Sequence, residues 1–163
     1  MRRLPVVAVL LAAAGLLALL FWPEGDDHAI KRRLSELVEH MNAGGVEGLG
    51  AVTRAAEIGA YFTHDVVVNL GQGAAPLSGR ETLIAMAARF QPSRTSHVVS
   101  LADVTVARRP GTAIADVALT VTLTGRDART GEPATDAREL ALEMRKDAGD
   151  WLIARATAVE TLK

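Results

Sequence analysis

The hydrophobic pattern divides the chain into three kinds of stretch. Residues 4–22 carry no charged side chain, and every ionisable side chain except those of Arg2 and Arg3 lies beyond them. At about 1.5 Å per residue this stretch spans roughly the hydrocarbon core of a bilayer, so it predicts a membrane helix. Beyond it the apolar period becomes helical. Ile30, Leu34, Leu37, Val38 and Met41 share a face, Asp26 or Asp27 is the expected N-cap, and Gly44 and Gly45 end the helix. A second helix is expected over 46–61, with Leu49, Val52, Ala56 and Ala60 on one side. Residues 66–70 then read as a short strand, Gly71-Gln72-Gly73 as a turn, and 74–77 as a short return strand. Ser78 and Glu81 have capping-box spacing and open a third helix that Pro92 prevents from passing about residue 90.

From Ser96 the period changes to two, predicting strands at 97–107, 112–124, 137–146 and 151–160. In the second, Ala113, Ala115, Val117, Leu119, Val121 and Leu123 face one way, and Asp116, Thr120, Thr122 and Thr124 the other. Pro110-Gly111 and Ala148-Gly149-Asp150 are hairpin turns, and 125–136 reads as a longer polar loop. A sheet with one apolar face must bury it, and three preceding amphipathic helices supply the cover. The fold class is therefore α+β with helices on one side of an antiparallel sheet.

The organisation expected is an anchor or signal segment at 1–23, a linker at 24–27 and one domain at 28–163. A cleaved signal peptide carries a shorter apolar region and small residues at its end, whereas this run leads into Leu19, Leu20, Phe21, Trp22 and Pro23. A retained anchor is favoured, with secretion after cleavage as the alternative. Arg2 and Arg3 place the N-terminus in the cytoplasm and the domain outside, although Lys31, Arg32 and Arg33 oppose that count. With all 19 acidic residues and 16 of the 18 basic ones, the remaining chain is net acidic. That balance opposes nucleic-acid binding. There is no cysteine, and the four histidines have no metal-ligand spacing, so neither metal nor cofactor is expected.

Tyr61-Phe62-Thr63-His64-Asp65-Val66-Val67-Val68, followed by Pro76-Leu77-Ser78-Gly79-Arg80-Glu81-Thr82-Leu83, resembles the central signature of nuclear transport factor 2-like (SnoaL-like, ketosteroid isomerase-like) domains. The resemblance covers about 27–160. It implies a cone, in which a curved sheet wraps a helix and the open end often holds a pocket. Members of that superfamily include isomerases, polyketide cyclases, scytalone dehydratase and membrane-anchored secretion subunits, so fold alone does not choose a function. The resemblance places the isomerase base at Leu70, which cannot accept a proton, and its tyrosine donor on a first helix that has no tyrosine here. Dehydratase chemistry would need a His–Asp pair, for which His97 and Asp116 on adjacent strands are the candidates.

The candidate pocket residues are Tyr61, Asn69, Leu70, His97 and Asp116, and no catalytic residue is assigned. Gln72 flanks the pocket position beside Asn69, although turn chemistry explains both as well. The adjacent pair His64-Asp65 reads as a polar strand entry, because neighbours on a strand face opposite ways. The function expected is a membrane-held, extracytoplasmic, non-catalytic homodimer that binds a small apolar ligand or a membrane protein partner. A SnoaL-like isomerase or lyase and a secretion-complex subunit are the alternatives.

Overall fold

The computed structural model describes residues 25–43, 49–71, 73–89, 97–126 and 130–159. The expected membrane helix at 4–22 and the side chain of Gln72 lie outside these residues. Among the described residues no helix is long and apolar enough to cross a membrane.

Three helices, α1 (Asp26–Asn42), α2 (Leu49–Gly59) and α3 (Arg80–Arg89), accompany six strands: β1 (Phe62–Asn69), β2 (Leu77–Ser78), β3 (Val98–Arg108), β4 (Ile114–Arg126), β5 (Pro133–Asp147) and β6 (Asp150–Ala158). The strands form one sheet in the order β2-β1-β6-β5-β4-β3. The four late strands make the expected antiparallel meander. The sheet as a whole is mixed rather than antiparallel, because β1 runs parallel to β6. Side-chain alternation specifies which face of a strand is buried but not the direction of a distant neighbour, so this pairing was not visible locally.

Register breaks bend the sheet. They fall between Phe62 and Val67 in β1, between Ala102 and Thr105 in β3, and at Ala154 in β6, opposite Glu143 and Met144. Asp103, inside the β3 break, has φ 54. Such bulges kink a strand and increase its twist, which curves the sheet around α1. The concave face holds one core: Ile30, Leu34 and Leu37 from α1 against Ala115, Val117, Leu119, Leu142, Met144, Trp151 and Ile153. Each large apolar side chain buried there contributes roughly 1.5–3 kcal/mol.

Several local expectations are corrected. Gly25, not Asp26 or Asp27, occupies the α1 N-cap, without a side-chain cap bond. The Asp26 carboxylate turns instead to the sheet. It accepts from Lys146 Nζ at 2.7 Å and Trp151 Nε1 at 3.3 Å, and pairs with Arg108 Nη2 at 3.0 Å. The Lys146 hydrogen bond, then that of Trp151 and the charge of Arg108, hold this carboxyl below its usual range against the opposing effect of burial. Ser78 pairs with Val67 in β2, and Gly79 O accepts the Leu83 N–H as α3 begins, so the serine does not cap that helix. Both ends of the polar stretch at 125–136 are strand, since β4 reaches Arg126 and β5 starts at Pro133. A long antiparallel ladder overrides the weak local propensity there.

Candidate functional site

The concave face opens gradually. Along β4, Ala115, Val117 and Leu119 are 0%, 2% and 4% exposed, whereas Leu123 is 40% exposed. The packed end is the one beside Asp26, Met144 and Trp151. At the other end α1 finishes against the sheet edge, where Asn42 Nδ2 donates to Val99 O at 2.7 Å and Val99 N–H donates to Asn42 Oδ1 at 2.8 Å. The amide thus pairs with the β3 edge as another strand would.

Register gives the side chains of the open end row by row. Leu119, Leu140 and Ala158 align across β4, β5 and β6, then Leu101, Val121 and Arg138 across β3, β4 and β5, then Val99, Leu123 and Asp136. Leu101, Val121 and Leu140 pack on the core and remain partly exposed. Asp136 and Arg138, two apart on β5, form an ion pair at 3.1 Å from Nε to Oδ2. Neither is a candidate from the sequence: Asp136 closes the stretch that reads as a polar loop, and Arg138 opens the expected strand beside it. The signal was present in the alternation Asp136, Arg138, Leu140, Leu142, Met144.

Of the five residues expected at the pocket, His97 reaches this open end. Its imidazole lies against Gly125, in the space a Cβ at that position would fill. Gly125 is in phase with Leu123 and Val121, which places the ring on the concave side. Asp116 does not join it. Asp116 lies on the convex face at the opposite end of β4, roughly 30 Å away at about 3.3 Å per residue. There Arg109 donates to it from Nε at 2.8 Å and Nη2 at 2.6 Å. These bonds hold the Asp116 carboxyl below its usual range. The His97–Asp116 approach is therefore not formed.

Leu70 follows the end of β1 and is 48% exposed. Asn69 pairs with Thr157 in register, and its Oδ1 accepts the Gly71 N–H at 3.0 Å, as turn chemistry predicts. Tyr61 is 6% exposed within the core. The Arg33 guanidinium carbon stands 4.1 Å over its ring, and the His40 ring lies 5.6 Å away at 57°. Burial pushes the Tyr61 phenol up from its usual value, so it is a packed neutral group.

The convex face carries paired charge. Arg109 reaches Glu143 at 3.0 Å, and Glu143 stands opposite Arg155. Arg145 donates to Asp65 at 2.8 Å, the largest of the causes that lower the Asp65 carboxyl to about 2. His64 and Asp65 are both exposed because they sit in the β1 irregularity. A cavity of about 230 Å³ between α1 and the β5–β6 turn is lined by Arg32, Arg33, Glu36, Asp150 and Trp151, among others. Glu36 pairs with both arginines at 3.6 Å, so this is a solvated seam. No group of three His, Cys, Asp or Glu among the described residues is placed to hold a metal.

Comparison with known proteins agrees with this geometry. The SnoaL-like domain family matches residues 26–157. No curated protein matches the chain. Among solved structures, a protein from Catenulispora acidiphila in complex with S-DNPA superposes with TM-score 0.64 at 12% identity, covering 80% of this chain and 90% of its own. A scytalone dehydratase-like protein from Novosphingobium aromaticivorans gives 0.64 at 16% identity, covering 83% of each chain. A ketosteroid isomerase-like protein from Erwinia carotovora atroseptica gives 0.59 at 17%, covering 82% and 96%. At these identities the likeness is one of fold. Together with a family match that spans α1 to β6, it leads to the conclusion that the chain belongs to the SnoaL-like domain family.

Proposed function

We propose that this SnoaL-like domain is a non-catalytic binding module, held at a membrane by residues 4–22 with the domain outside the cytoplasm, and dimeric. It takes a small apolar molecule against the open end of its concave face. The observation that carries this reading is the chemistry of that end. Leu101, Val121, Leu123 and Leu140 present apolar side chains to it, and a leucine stands at position 70, where the isomerase resemblance puts a base. A proton-transfer mechanism needs an acceptor within hydrogen-bond reach of the substrate. His97 and Asp116, the pair a dehydratase would use, lie on opposite faces. That a structural neighbour was solved in complex with S-DNPA is consistent with ligand binding on this fold. Membrane confinement would raise the effective concentration of a ligand or partner at the same surface.

Native mass spectrometry of the full chain extracted in detergent tests this reading. A dimer mass with a co-purified small molecule is the expected result. A mass that contains only protein, unchanged on adding apolar compounds, refutes ligand binding. A dehydration or isomerisation activity that disappears in a folded H97A variant refutes the non-catalytic part and supports the lyase alternative.

A further inference from the structure

We infer that Arg138 is the specificity residue of the open end, and that the ligand there is a small amphipathic monocarboxylate. The inference rests on the binding reading above and adds the polar half of the ligand to it. Register places Arg138 on the concave face beside Val121 and Leu101, one row nearer the core than Asp136. It is therefore flanked by the apolar surface that would hold a ligand's body. Its Nε is engaged by Asp136 at 3.1 Å. The two Nη atoms have no acceptor among the described residues. An arginine fork with one edge fixed by a neighbouring carboxylate presents the other edge preoriented, and that edge matches a planar carboxylate with two parallel N–H···O bonds.

The side chains of Asp136 and Arg138 are 61% and 49% exposed. A pair that wet contributes little to folding. Its consequence is orientation of the guanidinium rather than stability. The donor count sets the ligand class. Arg138 and Asp136 sum to no net charge, so the site offers the two donors on the free edge of the fork, enough for one carboxylate; a phosphate dianion calls for further cations, and the neighbouring row members Leu101, Val121, Val99 and Leu123 supply none. The apolar positions above and below ask for a hydrocarbon or aromatic body attached to that carboxylate.

The test is isothermal titration of the full chain with 2-naphthoate and with 2-naphthamide, which share a body and differ in charge. Any carrier the full chain needs contributes equally to wild type and variants. Naphthoate is expected to bind about tenfold tighter than naphthamide. R138Q is expected to abolish that preference while leaving naphthamide affinity and melting temperature unchanged, and R126Q, on the convex face, is expected to retain it. Equal affinities in wild type, a preference that survives R138Q, or the same loss in R126Q would overturn the inference and leave the apolar site standing. Binding of neither probe would overturn both, and would point to a partner protein's surface as the occupant.

Discussion

Replacing Asp26 by alanine removes a carboxylate that joins the start of α1 to three strands at once. Three donors converge on it: Lys146 Nζ, Trp151 Nε1 and Arg108 Nη2. Hydrogen bonds to charged groups are worth about 1.5–3 kcal/mol each when well shielded. The Lys146 and Arg108 side chains are 40% and 51% exposed, however, so both return to water when the partner is lost. Their share is close to that of surface pairs, about 0–1 kcal/mol. The indole N–H of Trp151 is better buried and loses its acceptor. The total is about 2 kcal/mol, which lowers the melting temperature by roughly 6 °C for a domain of this size. D27A is the control and should cost less than about 0.5 kcal/mol. D26N keeps an acceptor for Trp151 and should recover about half the loss. The carboxyl is held below its usual value of 3.8. Its contribution is therefore complete above that pH and lost as pH falls through the lower folded value. Wild type and D26A should accordingly converge in acid. Urea unfolding of D26A and D27A at neutral pH checks the magnitude. Losses within about 0.5 kcal/mol of each other would refute the reasoning.

Three further outcomes follow from particular residues. A Cβ at Gly59 would meet Ile84 Cδ1 and Cγ1 at 2.6 Å between α2 and α3, so G59A should destabilise by about 1–2 kcal/mol despite alanine's better helix propensity, read as a lower urea midpoint. Ala148 sits at φ 48 in the two-residue β5–β6 turn, where glycine carries no steric cost, so A148G should raise stability by about 1 kcal/mol in thermal unfolding. R145Q removes the main cause of the low Asp65 value, so the Asp65 carboxyl, near 2 in wild type, should titrate at a higher pH by NMR, nearer its ordinary value of 3.8; an unchanged midpoint would show that Arg145 is not the cause.

The meander was readable in the sequence because its information is local. Alternation along β4 depends on nothing outside β4, and the apolar stripe of α1 identified Ile30, Leu34 and Leu37 without knowledge of the sheet. Asp26 was misassigned for the opposite reason. An aspartate before a helix reads as a cap, but Lys146, 120 positions away, competes for the same carboxylate and wins. The parallel pairing of β1 with β6 is hidden in the same way, since it joins segments separated by α3 and four strands. At the candidate site the apolar side chain at 70 was legible from the resemblance, and the outward face of Asp116 from alternation. Asp136 was not, because Gly131, Glu132 and Pro133 suggest a loop until the β4 ladder imposes a strand, and Arg138, inside the expected strand, gains its partner only when that strand is extended to Asp136.

The contact between Asp26 and the packed end has a mechanical corollary. Gly25, the first described residue, lies directly beside that contact, and α1 then runs 17 residues, about 25 Å, before Asn42 meets Val99. The Asp26 carboxylate and its three donors would bear a load applied at Gly25, and the open end lies beyond their reach. If residues 4–22 tether the domain and a ligand takes the open end, as proposed, tether and ligand fall at opposite poles of one helix, so either can be altered by mutation while the other is left in place.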